Sequence, residues 1–125
     1  MPTQADVRRI ALSLPETVED EQRFGFSVMN KGKAKGILWA WMERVDPKKP
    51  RVARSDVIAV RVPSLDAKDA LVASDPKIYF TEPHYSGYPA VLVRLREIGK
   101  AELRELIAGA WRCQAPKALV KVSGG

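Results

Sequence analysis

Two side chains stand out as candidates for nucleophilic or acid–base chemistry near neutral pH: the single cysteine, Cys113, and the single histidine, His84. A nucleophile needs a base within hydrogen-bond reach, and the base needs a group to orient it. Nothing in the spacing brings these two together, and a lone cysteine beside Trp111 is more often a small buried hydrophobe. Glu82, two residues before His84 in a proline-flanked loop, makes no recognised acid–base geometry with it. One histidine excludes every metal motif that needs two, and one cysteine excludes an internal disulfide or a multi-cysteine zinc site. The reading is therefore of a protein that is not an enzyme and uses no cofactor or metal.

Phosphate chemistry leaves a stronger trace. The run from Asn30 to Gly36 holds glycines and lysines but lacks the spacing of a P-loop and the helix that would follow one. It reads as a hairpin tip carrying Lys31, Lys33 and Lys35, which share a strand face if pairing continues through the turn. A basic β-ribbon can lie in or across a nucleic-acid groove. Lysines at such a place also guard a strand edge against aggregation.

The charge distribution supports the same region. The chain has 21 Lys and Arg against 15 Asp and Glu, a net charge of +6. Residues 31–54 alone supply a surplus of that size, with Lys48, Lys49, Arg51 and Arg54 forming a basic loop after the hairpin. Such a concentration attracts polyanions, because each neutralised phosphate releases counterions. A solvated loop that maintains solubility has the same composition. The loop holding His84, Tyr85 and Tyr88, bracketed by Pro83 and Pro89, reads equally as a stacking and hydrogen-bonding site or as a rigid corner.

The elements that position these residues follow from periodicity. Thr3 and Asp6 form a capping pair before a helix whose stripe is Val7, Ile10, Ala11 and Leu14, stopped by Pro15. Glu16 to Glu21 reads as an acidic connection. Phe24 to Met29 and Ala34 to Met42 alternate as two strands of a hairpin around Asn30–Lys33. Trp39 and Trp41, two apart, face one side of a strand, expected to be the core under a helix. Asp46 to Ser55 reads as loop and Asp56 to Val62 as a third strand. Asp66 to Ser74 is a short helix with Ala70, Leu71 and Ala73 inward. Ile78 to Phe80 is extended, Ala90 to Leu95 is the last strand, and Lys100 to Arg112 is the strongest helix. A helical turn through Pro116 and Leu119 follows.

Hairpin-linked strands with helices on one face make a two-layer α+β domain with an antiparallel sheet. Its 125 residues fit one domain, 1–125. No apolar run reaches the ~20 residues needed to cross a bilayer, and no hydrophobic signal segment opens the chain, so the expectation is a cytoplasmic protein without membrane contact.

The segment Phe80-Thr81-Glu82-Pro83-His84-Tyr85-Ser86-Gly87-Tyr88-Pro89-Ala90-Val91-Leu92-Val93-Arg94-Leu95 resembles the signature of the MmcQ/YjbR family. Ala11–Glu16, Phe24–Gly36, Ala110–Arg112 and Ala115–Lys117 resemble its other conserved stretches, so the likeness runs from about residue 5 to residue 120. The basic insertion Val45–Ser55 departs from it. The resemblance implies a CyaY-like α+β fold and a DNA-binding role of double-wing type. By motif position it singles out His84, Tyr85, Gly87, Tyr88, Arg94, Trp111 and Lys117.

Two functional readings follow. In the first, a non-enzymatic domain binds DNA or another polyanion, with Lys31, Lys33, Lys35, Lys48, Lys49, Arg51 and Arg54 contacting phosphates. In the second, a small ligand or partner protein binds at His84, Tyr85 and Tyr88, with Arg94 and Lys117 nearby.

Overall fold

The computed structural model describes residues 2–43, 48–50 and 52–122. Helix α1 (Gln4–Leu12) starts where the sequence signals it: the Thr3 hydroxyl accepts the Asp6 amide, and the Asp6 carboxylate accepts the Thr3 amide. This reciprocal pair satisfies two of the amides that the first turn leaves open. Strands β1 (Thr17–Glu19), β2 (Gly25–Asn30), β3 (Lys33–Glu43) and β4 (Val52–Arg61) follow. Then come α2 (Leu65–Ser74), β5 (Tyr79–Phe80), a single 3₁₀ turn (Pro83–Tyr85), β6 (Ala90–Arg94), α3 (Lys100–Gln114) and α4 (Lys117–Val122). All pairings are antiparallel, in the order β1-β2-β3-β4-β6-β5. The expected two-layer α+β architecture is present, with one addition: the acidic segment read as a connection contains the edge strand β1.

Alternation sorts the sheet residues into two sets. Phe26, Val28, Leu38, Ile58, Val60, Val91 and Val93 form the main core with Val7 and Ala11 of α1 and Leu103, Ile107 and Trp111 of α3. Val57, Ala59 and Leu92 face the other way, and there Trp39, Trp41, Phe80 and Tyr85 cover them. The two tryptophans therefore lie on the face opposite the one expected.

The reason is a β-bulge. Phe26 pairs with Leu38, but Ser27 pairs with Gly36, leaving Ile37 as an extra residue in β3. Ile37 and Leu38 are consequently both buried in the main core, which regular alternation forbids. Beyond the bulge the odd-numbered residues change faces. A second irregularity, between Ala40 and Met42, lengthens β4 opposite Trp41, so that β4 begins at Val52 rather than Asp56.

Helix α2 differs from expectation in phase. Ala67, Leu71 and Val72 pack on the core, while Ala70 and Ala73 are exposed. Lys68 joins the inward stripe and is only 3% exposed. Its ammonium donates to the carbonyls of Tyr85 and Tyr88 and so fastens the loop after β5 to α2. Burial holds the Lys68 pKa below its ordinary value, against a raising influence of Asp69. Among the described residues no helix is long and apolar enough to cross a membrane.

Lys68→Met keeps the buried stem but removes the charged donor from two carbonyls, which are left with only the Tyr88 and Ala90 amides. Urea titration is expected to show a loss of about 1–3 kcal/mol, against less than about 0.5 kcal/mol for Ala70→Ser on the exposed side of α2. Equal effects would show that the ammonium contributes nothing.

Candidate nucleic-acid interface

Pairing of Asn30 with Lys33 leaves Lys31 and Gly32 as a two-residue turn. Both have left-handed backbone, with φ of 53° and 80°, the arrangement whose twist matches that of the flanking strands. Lys35 stands opposite Val28, whose side chain is in the main core, so Lys33 and Lys35 belong to the helix-covered face. Here the strands outrun the core, and the lysines emerge at the C-terminal end of α3.

Two side-chain amides fix that meeting. Asn30 Nδ2 donates to the Gln114 carbonyl at 2.9 Å, and Gln114 Nε2 donates to the Gly36 carbonyl at 3.1 Å. A little earlier on α3, Trp111 Nε1 donates to the Pro15 carbonyl at 2.9 Å, tying the helix to the end of α1. The result is a concavity of about 950 Å³ bordered by Lys31, Lys33, Lys35, Arg112 and Lys117, with no carboxylate among the described residues that line it. All five cations are exposed, and none forms an ion pair with a described carboxylate. The negative end of the α3 dipole favours cations there, which offsets part of their mutual repulsion. Glu16, whose carbonyl accepts the Met29 amide, borders the hairpin on its β1 side.

The structure does not bring the second basic segment to this bowl. Lys48 and Lys49, both exposed, belong to the connection at the far end of β3. Ten residue steps from Lys33 to Glu43 span roughly 33 Å. Arg51 lies outside the described residues. Arg54 is in β4, not in a loop, and its guanidinium binds Glu43 at 2.7 Å and Asp56 at 3.0 Å. Hydrogen bonds to Asp56 and then Glu43 raise its pKa. Its charge is balanced locally, unlike those of the five cations. The sequence count joined two segments that a strand holds apart, and it left out Arg112, distant in sequence but adjacent in space. The resemblance had already singled out Lys117, and the segment carrying it included Arg112.

The aromatic loop has a different surrounding. Trp39 Nε1 donates to the Tyr85 hydroxyl at 2.9 Å, His84 packs edge-on to Tyr85, and Tyr88 is 42% exposed on the open face. Gly87 turns the loop at a φ of 79°. Arg94 stacks 4.0 Å over Phe80 and donates to the carbonyls of Pro76 and Lys77. Lys117 is in the basic bowl. The five residues of the second reading thus fall in three places.

Nor does a catalytic pair form. Cys113 lines the bowl, with a thiol pKa raised by burial against the lowering influence of Arg61 and Arg112, so the reactive thiolate is disfavoured. Glu82 Oε1 is buried without a hydrogen-bond partner. Among the described residues no three His, Cys, Asp or Glu side chains gather as a metal would require.

Three comparisons bear on this geometry. A family model described as YjbR matches residues 12–113. The uncharacterized proteins Rv2570 of Mycobacterium tuberculosis and Mb2600 of Mycobacterium bovis are each 44% identical over 130 residues, covering 97% of this chain and 95% of theirs. The crystal structure of Deinococcus radiodurans protein DR2400, which carries the family-model domain DUF419, superposes with a TM-score of 0.67. It covers 99% of this chain and 89% of that one at 21% identity, which speaks to the fold alone.

The Arg54 cluster makes a pH-dependent contribution. Its hydrogen bonds hold the Asp56 pKa below the usual 3.8, so the folded state favours the carboxylate. That stabilisation is complete above the usual value and is lost as pH falls through the lowered one. Asp56→Asn should therefore reduce stability at pH 7, with the difference from wild type closing at acid pH in denaturant titrations. A gap that persists in acid would assign the effect to packing.

Proposed function

Starting from the fact that the chain belongs to the YjbR family, we propose that it is a non-enzymatic, cytoplasmic DNA-binding domain that grips phosphates in the bowl between the β2–β3 hairpin and the end of α3. The observation that carries this reading is the convergence of Lys31, Lys33, Lys35, Arg112 and Lys117 on one concavity lined, among the described residues, by no carboxylate. Unpaired cations in a concave wall raise the local potential and draw polyanions by counterion release. A paired arginine such as Arg54 must first give up its carboxylates.

The same groups define what kind of recognition this is. Lysines act as point charges towards phosphate and read no base pattern. Among the described residues that line the bowl, Arg112 is the one guanidinium. Affinity in this reading is set by backbone contacts and is nearly independent of sequence. The hairpins β2–β3 and β3–β4 are its two wings, with the first as the primary contact.

The test is the salt dependence of binding to a labelled DNA duplex. Lys33→Ala with Lys35→Ala and Lys117→Ala should weaken binding and flatten the slope of log K against log salt by about 0.9 per lost phosphate contact. Lys48→Ala with Lys49→Ala, at the other end of β3, should change the slope much less. If the first set keeps the wild-type slope, or the second abolishes binding, the bowl is not the contact surface.

A further inference from the structure

The cations of the basic bowl border it from both sides. Lys31, Lys33 and Lys35 come from the β2–β3 hairpin, Arg112 from the last turn of α3 and Lys117 from the start of α4. Lys33 and Lys35, two residues apart on one strand, are roughly 7 Å from one another along it. Between the two sides the lining is uncharged: Cys113, Ala115 and Pro116 contribute to it, and burial favours the neutral Cys113 thiol. A cleft with charge of one sign and low-dielectric walls focuses its field on the space it encloses.

Such a space favours an anion that concentrates its charge. One phosphate carries about −2, which leaves most of the five cations still repelling one another. Along a nucleic-acid strand the phosphates are separated by sugars, so few of them enter one concavity together. In a condensed phosphate chain neighbouring groups share an oxygen, and three of them bring roughly twice the charge of one. The groups are linked, so after the first contact each further one forms within a single complex. Arg112 adds a planar fork that engages two oxygens of a phosphate at once, which a lysine does not.

We propose, on the basis of the reading of the bowl as a phosphate-binding surface, that it also takes a condensed chain of three or more phosphates, free or carried by a nucleotide, which competes with DNA for the same cations. DNA binding then depends on how much of such a compound is present. Affinity resides in the phosphates, because among the described residues that line the bowl no aromatic ring offers a base a stacking surface.

The test uses the full chain in metal-free buffer at fixed ionic strength. Calorimetric titration should give one site for tripolyphosphate, at least tenfold tighter than for orthophosphate. Lys33→Ala with Lys35→Ala and Lys117→Ala, all exposed positions, should cost tenfold or more, and Lys48→Ala with Lys49→Ala less than twofold. Tripolyphosphate should also displace a labelled DNA duplex at concentrations where orthophosphate does not. ATP separates the two sources: affinity equal to or below that of tripolyphosphate assigns the free chain, and tighter binding assigns the nucleotide. Tripolyphosphate that binds no tighter than orthophosphate, binds the triple variant as well as the wild type, or leaves the bound duplex in place overturns the proposal, and the duplex's own salt slope still decides the DNA reading. Binding of tripolyphosphate by a protein that binds no duplex supports the site and overturns the DNA reading alone.

Discussion

One inserted residue, Ile37, decides which face the lysines and tryptophans of β3 occupy. Lys33, Lys35, Trp39 and Trp41 are all odd-numbered positions of one strand, and an uninterrupted strand would point them the same way. The bulge moves the lysines to the helix-covered side with Val28 and the tryptophans to the open side with Ala59 and Leu92. It is held in place by burial: Ile37 and Leu38 are both fully enclosed in the main core. Slipping the register by one residue would expose one of them and drive charge into the core, which is why such a feature is stable once the core has formed.

The bowl then depends on a much weaker set of contacts. Past Val28 and Lys35 the hairpin is a narrow ribbon, and two strands alone are marginal in water. What steadies it is Gln114, whose carbonyl accepts from Asn30, 84 positions away, and whose side-chain amide donates to the Gly36 carbonyl. Such neutral hydrogen bonds are each worth about 0.5–1.5 kcal/mol. Two unit charges 8 Å apart in water repel by about 0.5 kcal/mol, less in salt. The clamp and the repulsion it must overcome are of similar size. A site that gathers like charges is therefore poised, and a polyanion entering it relieves the repulsion that the free protein carries.

Local features were legible in the sequence, and those settled by distant partners were not. Thr3 and Asp6 cap α1 through contacts three residues apart, and Asn30–Lys33 closes its turn with its own backbone. By contrast β1 is three residues long, and its alternation carries no signal without β2 beside it. The burial of Lys68 leaves no trace in the sequence, because its acceptors, the carbonyls of Tyr85 and Tyr88, belong to a loop that only the fold brings near. The parity of Trp39 and Trp41 was visible, yet the face they occupy follows from Ile37, whose extra place shows only in the pairing with β2. Charge was the least reliable guide. Lys35 and Lys48 are thirteen positions apart but belong to opposite ends of β3, whereas Lys35 and Lys117 line one concavity.

Where the carboxylates fall therefore matters more than how many cations the chain has. Arg8, Arg9, Arg23, Arg54 and Lys100 each have an acidic partner within 4 Å. These pairs are partly exposed, so they add little stability, but each lowers the gain from binding a phosphate, because an existing attraction must be given up. Among the described residues the cations at the end of α3 and on the hairpin tip have no such competitor. The nearby acidic segment sits on the β1 side, where Glu19 holds Arg8 and Asp20 faces Arg23. Approach from that edge meets negative charge, and approach over α3 and α4 meets positive charge. A net charge of +6 thus becomes a directional field, set by the strand order that places β1 on one side of the hairpin and by the clamp that places α3 on the other.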